Sequence, residues 1–149
     1  MSATTAAPVR HRALIAGCAM MATMMTVLDS TISIVALPYM QGSLNTTLDQ
    51  TTWVLTSYII ASDIMTAPAG WLAQRYGRKN LFIVCIIGFT ASSMLSGAAQ
   101  SLEQMVLFRV LQGMTGAALV PLSQATMLDI FPFEQRAQAM AIFGIGVMI

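Results

Sequence analysis

Apolar residues in this chain fall into five long runs separated by short polar links. The runs cover residues 13–38, 51–73, 81–99, 104–127, and from Ala137 to the last residue, Ile149. A helix needs about 20 predominantly apolar residues to cross a bilayer. The first four runs meet that length, and the fifth holds 13 residues. The pattern therefore predicts an all-α membrane protein, a helical bundle of four complete transmembrane helices plus part of a fifth. The sequence is expected to be a fragment that ends in mid-helix. Residues 1–12 form a polar tail, and 13–149 form the membrane domain.

Composition agrees with this pattern. Of the 149 residues, 56% are hydrophobic and 9% are charged, against about a quarter charged in an average globular chain. So few charges cannot cover a water-facing surface, and lipid is the expected solvent for most of the chain. A net charge of +1 supplies no basic field for nucleic acid. Cys18 and Cys85 lie inside apolar runs without metal-ligand spacing and are expected to be packed, unpaired thiols. Arg10-His11-Arg12 followed by an apolar stretch has the n-region and h-region of a signal peptide. No clean cleavage site follows and further runs come behind it, so it is read as the first span.

The links set an orientation. Arg10 and Arg12 precede the first run, Arg75, Arg78 and Lys79 join the second to the third, and Arg136 joins the fourth to the fifth. The other two links carry only Asp49 and Glu103. The positive-inside rule then places the N-terminus in the cytoplasm.

Three ionisable residues interrupt the runs: Asp29, Asp63 and Arg109. Each costs a few kcal/mol at the centre of an isolated membrane helix, so each is expected to face protein or a wet cavity. Measured from Pro38, Asp29 lies about 13 Å from the helix end, and Arg109 lies about 10 Å past Leu102. On that depth the two can pair, and Asp63 falls near the midplane. One reading is a structural ion pair. The other is a carboxylate that takes and releases a proton, tuned by the arginine. Arg109, Gln112, Gly113, Gly116, Ser123 and Gln124 recur at helical offsets and mark one face of the fourth run, with helix packing and substrate contact both open for the glycines. Pro121 is expected to kink this helix. The cluster Met20, Met21, Met24, Met25 has no histidine or cysteine pair beside it, and is read as adaptable packing with no metal site.

The segment Gly70-Trp71-Leu72-Ala73-Gln74-Arg75-Tyr76-Gly77-Arg78-Lys79 is the most specific motif. It resembles the cytoplasmic signature loop of the major facilitator superfamily, written G-x-L-a-D-r-x-G-r-k. Leu28-Asp29-Ser30-Thr31-Ile32 with Val35-Ala36-Leu37-Pro38 resembles the first-helix signature of its fourteen-span drug:proton antiporters, the EmrB/QacA-type permeases. Gln50 to Tyr58 is similar to their second-helix start. Leu107-Phe108-Arg109-Val110-Leu111-Gln112-Gly113 with Gly116, extended by Val120-Pro121-Leu122-Ser123-Gln124-Ala125, resembles the fourth-helix signature. Two positions depart from the pattern: Gln74 stands where the family usually has Asp, and Ile34 where it often has Asn.

This resemblance implies alternating access between two six-helix bundles. It implies export of hydrophobic or amphipathic drugs across the bacterial inner membrane, driven by the proton gradient with no cofactor. Asp29, Arg109, Asp63 and Gln112 would couple protons or substrate, although Asp63 belongs to no carried-over motif. Gly70, Gln74, Arg75, Gly77, Arg78 and Lys79 would form the conformational gate loop. Gly113, Gly116, Pro121, Ser123 and Gln124 would serve packing or the cavity. The lipid bilayer and small substrates are the implied partners, and a periplasmic adaptor with an outer-membrane channel is left open. The alternatives are an importer of the same superfamily and a truncated membrane subunit without transport of its own. No constellation of catalytic residues suggests an enzyme. Half a cavity cannot alternate its access, so the 149-residue chain expressed alone is expected to confer no drug resistance, and growth on a drug gradient checks this.

Overall fold

The computed structural model describes residues 12–44 and 46–148. The tail assigned to residues 1–12 lies outside the described residues except for Arg12. Among the described residues the chain is helical and has no strand: α1 (Arg12–Leu44), α2 (Leu48–Tyr76), α3 (Arg78–Gly97), α4 (Leu102–Gly116), α5 (Leu119–Ile130) and α6 (Arg136–Met148), with a short 3₁₀ turn at Phe133–Gln135 before α6. Three stretches are long and apolar enough to cross a membrane: Arg12–Gly42, Arg78–Gly97 and Leu102–Ile130. α2 has the length, at 29 residues, but its apolar run is diluted by hydroxyl residues. These hydroxyls close on their own helix: Thr56 donates to the Thr52 carbonyl, Ser62 to Ile59 and Thr66 to Ser62. A hydroxyl satisfied in this way carries little polarity into lipid.

The ends of the helices follow local chemistry. Thr47 caps α2 with a reciprocal box, its hydroxyl accepting from the Gln50 amide while the Gln50 side chain accepts from the Thr47 amide. This starts the helix three residues before the expected Thr51. Ser101 caps α4 by accepting from the Gln104 amide at 3.3 Å. α1 does not stop at Pro38; it runs on to Leu44 with the proline inside it. The run expected as one helix over 104–127 is two helices, broken between Gly116 and Leu119. Pro121 sits in the first turn of α5, where a missing amide costs nothing, and its ring excludes a helical carbonyl four residues earlier, at Ala117.

Contacts divide the chain into two compact units. In residues 28–119, α4 is the central helix and packs against both α2 and α3. Glycine makes the close approach: a Cβ on Gly113 would stand 2.5 Å from the Tyr58 carbonyl and 3.0 Å from the Ala61 methyl, and one on Gly116 would stand 2.9 Å from the Phe89 ring. Small residues allow such backbone contact between membrane helices, where lipid supplies no hydrophobic drive for association. Phe89, Val54 and Met105 fill the interior around this crossing. The second unit joins the first half of α1 to α5 and α6. Ala16, Met127, Ala139 and Phe143 form its core, with Met20 and Met140 packed on it, and the Ser123 hydroxyl donates to the Ala19 carbonyl at 3.1 Å.

Large apolar side chains cover the exterior, among them Ile64 at 69% and Met94 at 73% exposed. An apolar exterior around a polar α4 stripe reverses the layout of a water-soluble bundle and fits a lipid solvent. Cys85 is buried, but Cys18 is exposed, which corrects the expectation that both thiols are packed. Gly113→Ala forces the α2 backbone outward and is expected to destabilise the detergent-purified protein by about 1–3 kcal/mol. The same change at Gly97, where an added Cβ meets nothing, is the control, and thermal unfolding reads both.

Candidate functional site

Two helices deliver the charges at the centre of the first unit. Arg109 lies on the buried stripe of α4, Met105–Arg109–Gln112–Gly113–Gly116, whose spacing is one helical face. Asp29 reaches it from α1. Arg109 Nη1 donates to Asp29 Oδ2 at 2.7 Å, with the two side chains 7% and 13% exposed. A charge-assisted bond this short is strong. Removing one partner of a buried pair typically costs about 3–5 kcal/mol, because the other charge is left uncompensated. With α1 continuing to Leu44, Asp29 is about 22 Å from its helix end, and the pairing expected of the two residues is present.

Tyr58 on α2 is the residue that sequence reasoning left out of the site. Its hydroxyl shares a hydrogen bond with Ser30 and lies in the field of both Asp29 and Arg109. Gly116 lies beside it: a Cβ added there would sit 3.4 Å from that hydroxyl. The signal was present, since Tyr58 belongs to the quoted second-helix stretch, but only the α2–α4 crossing shows which way it turns.

Gln112, one turn beyond Arg109, is fully buried, and neither amide atom has a partner among the described residues. An unsatisfied buried polar group costs about 1–3 kcal/mol, so Gln112 is not explained by packing within the described residues. Asp63 is exposed on α2 and takes no part in the ion pair. Gln124 and Pro121 are likewise exposed, while Ser123 is buried in the second unit.

The gate segment is almost all helix. Residues 70–76 close α2, Arg78 and Lys79 open α3, and the link is Gly77 alone. Gly77 has φ +84°, a conformation that an L side chain adopts only at a cost. Gly70 is therefore inside α2 and is no turn residue. Arg75 stacks on Trp71 at 5.4 Å and sits in the last turn of α2, where a cation suits the helix dipole. Arg78 and Lys79 occupy the first turn of α3, where the dipole disfavours cations. Local helix stability does not account for them. Gln74 is exposed and neutral.

Apolar helices with exposed hydrocarbon-compatible faces, and a buried ion pair between α1 and α4, fit a multi-pass membrane protein. Residues 19–149 match the Major Facilitator Superfamily, and the chain belongs to that family. It is similar to "Multidrug export protein EmrB" of Haemophilus influenzae, 43% identical over 87% of this chain and 25% of the relative. The protein of the same name in Escherichia coli K12 is 41% identical over the same shares. "Fatty acid resistance protein FarB" of Neisseria gonorrhoeae is 38% identical, also over 87% of this chain and 25% of its own length. The chain thus spans about a quarter of the length of these curated relatives.

Replacing Gln112 by Leu removes both unsatisfied amide atoms at similar volume. Thermal stability is expected to stay within about 1 kcal/mol or to rise, while transport by the full-length protein falls. Loss of stability in step with transport would assign Gln112 to packing.

Proposed function

We propose that this chain is the N-terminal part of a proton-coupled exporter of hydrophobic or amphipathic compounds, working by alternating access across the bacterial inner membrane. The observation that carries the reading is the Asp29–Arg109 pair, 2.7 Å apart and almost wholly buried. A carboxylate held by one guanidinium has two states. Ionised, it clamps α1 to α4. Protonated, it loses the charge attraction and releases that clamp. Proton uptake then becomes a change in helix contact, which is what coupling to an alternating cavity needs. Tyr58 beside the pair and the unpartnered amide of Gln112 supply hydrogen-bonding groups for waters or a substrate. The names of the relatives support export, and the fatty acid resistance of one supports amphipathic substrates.

The orientation belongs to the same proposal. The basic residues Arg75, Arg78, Lys79 and Arg136 face the cytoplasm, with the N-terminus on that side. Arg78 and Lys79, placed against their own helix dipole, serve a partner outside α3 in the gate, and neutral Gln74 holds that gate with a hydrogen bond in place of a charge. A periplasmic adaptor and an outer-membrane channel complete the export path.

Asp29→Asn in the full-length protein is expected to lower proton-driven efflux at least tenfold while the protein still reaches the membrane and binds substrate. Efflux of a fluorescent amphipathic cation from inverted vesicles, with and without a pH gradient, measures it. Undiminished efflux in this variant would sink the coupling role.

A further inference from the structure

A cleft of about 370 Å³ reaches the ion pair from one end of the first unit. Its lining includes Gly97 and Ala99 at the α3–α4 connection, Ser93 and Ser96 on α3, and the Asp29–Arg109 pair. Two of its lining side chains are more than nine-tenths buried and yet hold a polar atom without a protein partner: Ser96 Oγ and Arg109 Nε. Ser92 on the same helix shows the contrast, since its hydroxyl donates to the Gly88 carbonyl at 2.8 Å. Ser96 forgoes that local bond. Buried polar groups in folded proteins nearly always have partners, and ordered water supplies them where protein does not. The space is far above the roughly 10–15 Å³ that one water needs.

We propose that this cleft is a water-filled route by which protons reach Asp29 from the face of the membrane that carries the α3–α4 connection. The inference rests on the proton-coupled reading above and deepens it by naming the path. Arg109 Nε is a donor only, so a water bound there turns its oxygen to the arginine and its hydrogens away. Ser96 Oγ both donates and accepts and so continues the chain. A proton arriving on this water chain forms an O–H bond at the Asp29 carboxylate and leaves its carrier as neutral water, with no other bond made or broken. Asp29 and Arg109 are the only ionisable groups in the lining, so no rival acid intercepts the proton. Met105, a flexible side chain one turn before Arg109, also lines the cleft.

The test uses full-length protein with Cys18 and Cys85 replaced by alanine, and single cysteines introduced as Ser93→Cys, Ser96→Cys and Met94→Cys, the last on the exposed face of α3. Serine and cysteine are nearly isosteric, so these variants keep the fold. A charged, membrane-impermeant methanethiosulfonate reacts with thiols only where water reaches them. Added to right-side-out and inverted vesicles in turn, it is expected to modify positions 93 and 96 at least tenfold faster than position 94, and from the α3–α4 face only. Rates as slow as that of Met94→Cys, or equal from both faces, would overturn the route. Filling the cleft with Ser96→Leu is expected to slow modification at position 93 tenfold and to lower proton-driven efflux, whereas Ser96→Thr keeps both. Slow labelling together with a coupling defect in Asp29→Asn defeats the route and leaves the proton reading standing. Fast labelling with normal coupling in Asp29→Asn shows a wet cleft that carries no protons, and defeats the proposal through the reading it rests on.

Discussion

A carboxylate and a guanidinium 2.7 Å apart, in a chain whose exterior is hydrocarbon-compatible, constrain everything near them. Neither charge is tolerable alone at that depth, so α1 and α4 are obliged to meet wherever the two residues are. The rest of the first unit is arranged around that meeting. α4 takes the centre because its buried stripe carries the charge, the amide of Gln112 and the glycines together. Hydrophobic burial cannot drive this assembly in lipid, so close packing and polar contacts must. Gly113 lets α2 approach to backbone contact, and Gly116 leaves room for Phe89 and for the Tyr58 hydroxyl. Packing and chemistry thus share one stripe: the glycines that let the helices close lie on the same face of α4 as Arg109.

Polar groups here divide by whether they are satisfied. Most hydroxyls of α2 and α3 bond to a carbonyl one turn back on their own helix and so ask for nothing else. Ser96 Oγ, Arg109 Nε and both amide atoms of Gln112 do not. All of these belong to α3 or α4 on the side where Asp29 arrives or one turn from it. In a membrane protein an orphaned polar atom is expensive, and for these the described residues supply no partner. The break between Gly116 and Leu119 ends the α4 stripe just beyond these groups.

The link between α2 and α3 shows a different economy. A single glycine at φ +84° joins two helices, so the segment is nearly rigid, and its side chains are displayed from helix ends. Arg75 is placed where its own helix favours it, and Arg78 and Lys79 where theirs does not.

The sequence by itself determined the class, the approximate spans and the residues worth watching, because lipid allows few charges and each one inside a run is conspicuous. Asp29, Arg109, Gln112, Gly113 and Gly116 were legible for that reason. The helix ends were less so: a capping box at Thr47 and a proline carried within α1 moved boundaries that apolar runs alone had placed at Thr51 and Pro38. What only the tertiary structure decided is direction around each helix. Asp63 and Asp29 look alike in the chain, yet one is exposed and the other is bonded to arginine. Gly70 and Gly77 look alike in the motif, yet one is mid-helix and the other makes the turn. Tyr58 joined the site only where α2 met α1 and α4, and the cleft opened only where α3 met the same two helices. Rotation and crossing are set by which side chains find one another in space, and a one-dimensional pattern carries no record of that.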